Sequence, residues 1–280
     1  MKTKKNFWWA VFFILGNISF GQNLKLMTYN IRLDVASDVP NAWPIRKDYL
    51  GAQIQFYEPD LLGIQEALPN QVLDLEQRLF QYSQLGIGRE GEGKGESSNI
   101  FYKKEKLKVI EASTFWLSET PNEISKGWDA ACHRVCTYAL FQEISSQRKF
   151  WVFNTHLDHI GEQARAKGIA LILSKIGALN TNNFPVVFMG DFNLEPADKS
   201  ILALKRLMND ASEISLQKPF GPNGTFNNFE FNQMVTKRID YIFISKNSNL
   251  AVNKYAVLKD SNESRYPSDH FPVYVELNMF

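Results

Sequence analysis

Six times in this 280-residue chain a short apolar run meets a carboxylate, amide or imidazole at one of its ends. Residues 24–29 run into Asn30, 61–65 into Glu66, and 150–155 into His156. Residues 186–190 run into Asp191, with Asn193 two positions on. Asp240 stands just before 241–244, and Asp269 and His270 precede 273–277. Short apolar runs rich in Val, Ile, Phe and Tyr read as buried strands. Strand ends in a shared layer lie along one edge, so these polar positions can converge on one site.

Further strand candidates lie at 100–103, 109–117, 135–144 and 252–258. Between them sit helical patterns at 45–57, 69–80 and 162–179. The first is closed by Pro59, and the second opens on a proline at a tolerated first-turn position. The third carries Ile169, Leu173 and Ile176 on one stripe. Many strands with interspersed helices imply two sheets face to face with helices outside. Two irregular loops, 90–98 and 218–228, are rich in Gly, Glu, Pro and Asn and would rim a cleft at the chemical end.

Residues 1–21 read as a cleaved secretory signal. Lys2, Lys4 and Lys5 precede the apolar run 7–15, and Ser19-Phe20-Gly21 supplies small residues for cleavage. The run is too short to span a bilayer, which needs roughly 20 apolar residues. Residues 22–280 then form one domain, expected to be a secreted or periplasmic monomer without stable membrane insertion. Formal net charge is +1, and removing the signal takes three lysines and no acid. Such a chain has no broad basic surface of the kind that grips nucleic acid. Cys132 and Cys136 are expected to stay free and half-buried. Four residues of strand span about 13 Å, and a disulfide tolerates Cα atoms only up to about 7 Å apart, unless the chain turns at His133. A zinc reading of Cys132, His133 and Cys136 lacks a second ligand pair.

Residue type narrows the chemistry. Glu66, Asp191, Asp240 and Asp269 are hard oxygen donors suited to Mg2+ or Mn2+. His156 and His270 can supply a general base and a phosphate hydrogen bond. No G-x-S-x-G and no phosphatase-type cysteine loop is present, so attack by activated water fits best.

The segments T-Y-N-I-R, I-Q-E, N-T-H-L-D, G-D-F-N, R-I-D-Y-I-F and S-D-H-F-P-V follow one another from Thr28 to Val273. In that order they resemble the motifs of the endonuclease/exonuclease/phosphatase superfamily. The resemblance implies an α/β (α+β) fold, a four-layered sandwich of two mixed β-sheets flanked by helices, and a metal-dependent phosphoesterase. It implies Glu66 as principal metal ligand, with Asn30 and Asp269 completing or approaching that shell. His270 resembles the general base, oriented by Asp240. Asp191 and Asn193 resemble the pair that positions water and a phosphate oxygen, and His156 the histidine that bonds the scissile phosphate.

Three substrate contacts are weaker candidates. Glu96 falls where some relatives pair a glutamate with the second histidine, against a solvated loop charge. Arg134 begins a strand and can contact phosphate or form a structural ion pair. Asp158 extends the histidine motif, next to a His159 expected at the surface. Trp43 and Arg46 are expected to pack, and Trp116 and Trp128 to anchor core or loop. The leading expectation is phosphodiester cleavage, with DNA or RNA as the phosphate-ester substrate. The alternative is a phosphatase or phosphodiesterase of a small molecule such as an inositol phosphate, lipid headgroup or sugar phosphate. The acidic balance of the first long loop and the single lysine of the second favour a short substrate, or a single strand held by Phe226 and Phe229. A silent binding module fits poorly, because every motif residue is present.

Overall fold

The structure, a computed structural model, describes residues 22–246 and 249–279. The expected signal, residues 1–21, lies outside the described residues. Among the described residues, twelve strands form two six-stranded sheets. The first contains β1 (Gln22–Asn30), β2 (Leu61–Gln65), β3 (Tyr82–Leu85), β4 (Ile100–Lys103), β11 (Leu250–Val257) and β12 (Val273–Met279), in the order β11-β12-β1-β2-β4-β3. The second contains β5 (Leu107–Trp116), β6 (Val135–Glu143), β7 (Lys149–His156), β8 (Val186–Asp191), β9 (Met208–Asp210) and β10 (Asp240–Ser245), in the order β5-β6-β7-β8-β10-β9. Each sheet is mixed: β1 and β2 are parallel, as are β7 and β8, while the other pairs are antiparallel.

Alternation along the strands builds three apolar layers. In β8, Val187 and Met189 point between the sheets, whereas Val186 and Phe188 point outward. In β10, Ile242 and Ile244 point inward and Tyr241 and Phe243 outward. The outward face of the second sheet is covered by α3 (Glu162–Leu179) and α4 (Lys199–Leu207), through Ile169, Ile172, Ile201 and Leu204. The outward face of the first sheet, with Met27, Tyr29, Leu62 and Ile64, is covered by α1 (Trp43–Tyr57) and α2 (Pro69–Arg78), through Leu50, Ile54 and Leu75. A short α5 (Ala211–Ile214) follows β9. The result is the expected four-layered sandwich. Emptying one of its large buried positions, such as Phe188→Ala, would cost about 3–5 kcal/mol.

The helices start and stop for local reasons. Pro44 and Pro69 stand in the first turns of α1 and α2. Glu58 adopts a left-handed conformation that ends α1 just before Pro59. Asp198 caps α4 by accepting the Ser200 N–H. The α3 N-terminus has no cap of its own; Asp129 reaches it from a distant loop and accepts the N–H groups of Gln163 and Ala164. Trp43 and Arg46 pack as expected: Trp43 is buried and its indole donates to Asp74 of α2 at 2.8 Å. Cys132 and Cys136 are both free, Cys132 half-buried and Cys136 fully buried on β6. No helix among the described residues is long and apolar enough to cross a membrane.

Candidate active site

Strand register lines up the chemistry. Across the second sheet His156 pairs with Asp191, and Asp191 with Asp240, so three polar side chains form one row on β7, β8 and β10. Adjacent strands stand about 4.8 Å apart, which brings these groups within reach of one another. In the first sheet Asn30 is in register with Gln65, and Glu66 follows immediately. Asp269 and His270 come from the turn before β12, where Ser268 Oγ donates to the Asn30 carbonyl at 2.7 Å. The site therefore sits where the ends of both sheets meet.

Two backbone features make room for it. Gly190 has φ of +143°, and a Cβ there would fall 1.9 Å from the Thr155 carbonyl oxygen. Only glycine lets β8 approach β7 this closely just before Asp191. Glu66 has φ of +62°, an uncommon conformation for a residue with a side chain. It turns the carboxylate off the strand line and toward Asn30.

Asp191 is the hub. Its Oδ2 accepts from Asn30 Nδ2 at 3.0 Å, and lies 3.4 Å from His156 Nε2 and 3.8 Å from His270 Nε2. Its Oδ1 accepts the Asn193 N–H at 2.9 Å. The same Asn30 amide donates to Glu66 Oε1 at 2.9 Å, while Asn30 Oδ1 accepts the Arg32 N–H. Asn30 thus joins the cluster as a donor between two carboxylates. Glu66 Oε2 accepts the Leu33 N–H at 3.1 Å. Asn193 Nδ2 meets His156 Nε2 at 3.0 Å and donates to the Leu157 carbonyl. His270 Nδ1 meets Asp240 Oδ2 at 2.9 Å, and Asp240 Oδ1 is buried without a partner among the described residues.

Burial and charge set the protonation states. Burial pushes the Asp191 carboxyl up to about 7, helped by the neighbouring Asp240 and opposed by His270. Burial also raises Asp269, with Glu66 adding to the effect. Burial pulls His270 down, but Asp240, Asp191 and Asp269 outweigh it and push the imidazole up to about 10. His156 goes the other way: burial, then the charge of Arg134, hold it well below the usual range and therefore neutral.

Oxygen and nitrogen atoms of Glu66, Asp191 and His270 all lie within 4.8 Å of one another. Asp269 lies outside that triad but lines the same cleft. Two carboxylates and an imidazole this close together offer donors that suit a divalent cation.

The cleft has a volume of about 500 Å3 and runs past these groups to both long loops. Arg89, Glu96 and Arg134 line one part, and Phe226, Asn228, Phe229 and Lys237 another. Among the weaker candidates, Glu96 is half-buried and not bonded to His156. Its carboxylate goes to Arg89 at 2.6 Å, and burial raises its pKa. Arg134 lines the cleft and forms the ion pair with Asp158 at 3.4 Å. Asp158 stands behind Arg134 rather than on the cleft wall. Its carboxylate accepts the N–H groups of Ala131, Ile160 and Gly161, which outweigh burial and hold it well below the usual carboxylate range. His159 is exposed as expected, yet it lines the cleft and meets Arg134. Arg32, Arg89, Cys132 and Lys237 also line the cleft. Sequence reading missed them, although Arg89 stands at the mouth of the Gly- and Glu-rich loop.

Arg46 explains how the loops beside Asn30 and Asp269 keep their shape. It is buried, donates to the carbonyls of Ile31, Arg32 and Pro267, and so ties the turn after β1 to the turn before β12.

Known proteins share this fold. A mannosyl-6-phosphatase from Bacteroides thetaiotaomicron is 38% identical, with a TM-score of 0.86 over 91% of this chain and 99% of its own. A structure described as an endonuclease/exonuclease/phosphatase family protein from the same organism is 36% identical, with a TM-score of 0.88 over 92% and 98%. TDP2 from D. rerio, solved with a single-strand DNA product, is 22% identical and shares the fold, with a TM-score of 0.72 over 92% and 99%. The model of the endonuclease/exonuclease/phosphatase family matches residues 27–270. With the motif residues gathered at one end of a four-layered sandwich, the chain belongs to the endonuclease/exonuclease/phosphatase family.

Proposed function

We propose that this chain is a divalent-metal-dependent phosphatase of a small phosphorylated molecule, with a sugar phosphate as the first candidate. The observation that carries the reading is the cleft. At about 500 Å3 it has the size of a small-ligand pocket, and its walls mix acids with arginines instead of presenting a basic strip. The mannosyl-6-phosphatase activity named for a 38% identical relative that overlaps 91% of this chain supports the same class.

Glu66 and Asp269 would hold the cation, Mg2+ or Mn2+, with Asp191 adjacent. Bound there, it would neutralise phosphate charge and favour attack at phosphorus. The remaining work falls to this chain's side chains. Asp240 holds the Nδ1–H of His270, so that in the neutral imidazole Nε2 is the nitrogen that takes a proton. A water near Asp191 and His270 gives that proton to Nε2 as its oxygen bonds to phosphorus; the P–O ester bond breaks in line, and the departing alkoxide takes a proton from solvent in the cleft. Asn193 and neutral His156 flank the phosphate oxygens without adding charge. The products are an alcohol and inorganic phosphate.

A second reading, cleavage of single-stranded nucleic acid, draws on Phe226, Phe229 and Lys237 along the cleft. The two separate on one screen. Purified protein with magnesium is offered mannose 6-phosphate, other sugar and inositol phosphates, bis-p-nitrophenyl phosphate, and DNA and RNA oligonucleotides. Release of inorganic phosphate with the highest kcat/KM on a sugar phosphate supports the proposal. Faster turnover of an oligonucleotide would overturn it. Export is part of the proposal and rests on residues 1–21; N-terminal sequencing of protein recovered outside the cytoplasm should begin near Gln22.

A further inference from the structure

The cleft wall beside His156 carries two guanidiniums that the scheme above does not use. Arg134 is only 6% exposed, yet it lines the cleft. Its Nε donates to Asp158 Oδ2 at 3.4 Å and its Nη2 meets His159 Nδ1 at 3.0 Å. Neither bond engages Nη1. Arg89 places Nη2 on Glu96 Oε1 at 2.6 Å and Nη1 on Cys132 Sγ at 3.4 Å. Its Nε is buried with no hydrogen-bond partner among the described residues, 3.9 Å from Glu90 Oε1. The backbone of Arg89 is fixed as well, because the Trp116 indole donates to its carbonyl at 2.7 Å.

Both side chains are thus held by acids, Arg134 by Asp158 behind the cleft wall and Arg89 by Glu96 on it, with donor capacity left over. Buried donors left unmatched are costly unless an acceptor completes them. A fixed guanidinium fork matches phosphate oxygens and needs no reordering when the phosphate arrives. A phosphate monoester carries about −1.5 to −2 charge near pH 7, whereas a diester carries one negative charge and presents fewer terminal oxygens. Fixed cations therefore favour the monoester.

We propose that Arg134, supported by Arg89, recognises the terminal phosphate of a monoester and selects monoesters over diesters. This inference rests on the phosphatase reading above and names the residues that give it.

The test compares kcat/KM on p-nitrophenyl phosphate and bis-p-nitrophenyl phosphate for wild type, Arg134→Gln, Arg134→Lys and Arg89→Gln at saturating metal. The monoester-to-diester ratio is read within each preparation, so partial misfolding cancels. Arg134→Gln should lower the ratio by about 10- to 100-fold, since a charge-assisted phosphate contact is lost mainly from the dianion. Arg134→Lys should recover part of it, and Arg89→Gln should move it less in the same direction. Equal losses on both substrates would overturn the inference and leave Arg134 a general phosphate or structural group. A wild type that prefers the diester removes the phosphatase reading and this inference together; a monoesterase whose ratio does not move removes this inference alone.

Discussion

His270 Nδ1 and Asp240 Oδ2 lie 2.9 Å apart across the seam between the two sheets. Asp240 opens β10 of the second sheet, and His270 precedes β12 of the first. The pair fixes the imidazole tautomer and, despite burial, holds its pKa up at about 10 in the metal-free protein. A base must be deprotonated to act, so a raised pKa moves the acidic limb of the rate profile to higher pH. A nearby divalent cation would bring it partly back toward neutrality. Asp240→Asn keeps the shape and loses the charge. The acidic limb should move to lower pH while the plateau falls by about 10²–10⁴, as for other carboxylate–histidine pairs. The double variant with His270→Ala should be little worse than His270→Ala alone, because residues acting as a unit are non-additive. Turnover of the four proteins across pH checks this; losses that multiply would assign Asp240 a separate, structural role.

Glu66 and His270 both have an atom in the cation-sized triad, but they should fail differently. Glu66→Gln removes a carboxylate that the cation needs, so metal affinity and turnover should fall together, affinity by about 10-fold or more. His270→Ala should cut turnover and leave metal affinity largely intact. Calorimetric titration of Mg2+ or Mn2+ into each variant separates the cases, and excess chelator should abolish wild-type activity. Wild-type metal affinity in Glu66→Gln would take this carboxylate out of the metal site.

Much of this site was legible because its residues sit at the ends of apolar runs, and strand ends must share an edge. All ten strand stretches read from the sequence form within a few residues of the expected bounds. Two strands were not foreseen, for different reasons. β3, Tyr-Ser-Gln-Leu, is a half-buried edge strand with no apolar alternation, and β9 is only three residues long. α4 was readable, since Asp198 caps it and Ile201 and Leu204 mark its buried face, but its apolar stripe is short. The arginine wall could not be read locally. Arg134 finds Asp158 24 residues away, and no period or turn signal links them. Arg89 and Glu96 are near neighbours in a loop whose composition suggested solvent, and only the closure of that loop onto the sandwich half-buries them.

Gly190 is where the fold yields most directly to the chemistry. Its neighbours in register are Thr155 on β7 and Tyr241 on β10, so it is enclosed on both sides. The left-handed φ of +143° and the 1.9 Å approach of a Cβ to the Thr155 carbonyl act together. Gly190→Ala should therefore destabilise by about 3 kcal/mol or more, a drop of roughly 6–12 °C in Tm for a domain this size. Activity of whatever folds should fall as well, because Asp191 is displaced. An unchanged Tm would mean that the β7–β8 spacing relaxes freely.

Asp191 should cost the protein stability in return for function. Its folded-state pKa, pushed up to about 7 by burial and Asp240, stands above the ordinary value of 3.8. The unfolded chain then releases this proton more readily than the folded one. Below the ordinary value both states are protonated and there is no penalty. As pH rises from there toward 7 the penalty grows, and above 7 it is fully present. Removing the charge while keeping the shape, as in Asp191→Asn, should therefore stabilise the metal-free protein at pH 8 and do little at pH 4. The gain at pH 8 is opposed by the lost attraction to His270, so a rise of about 5 °C in Tm is expected, corresponding to roughly 1–2 kcal/mol. Added Mg2+ should reverse the order, because the cation stabilises the carboxylate form and the amide binds it less well. Thermal unfolding at both pH values, with chelator and with Mg2+, checks each arm. A variant less stable than wild type at pH 8 in chelator would show that the carboxylate's hydrogen bonds to Asn30 and Asn193 outweigh its burial.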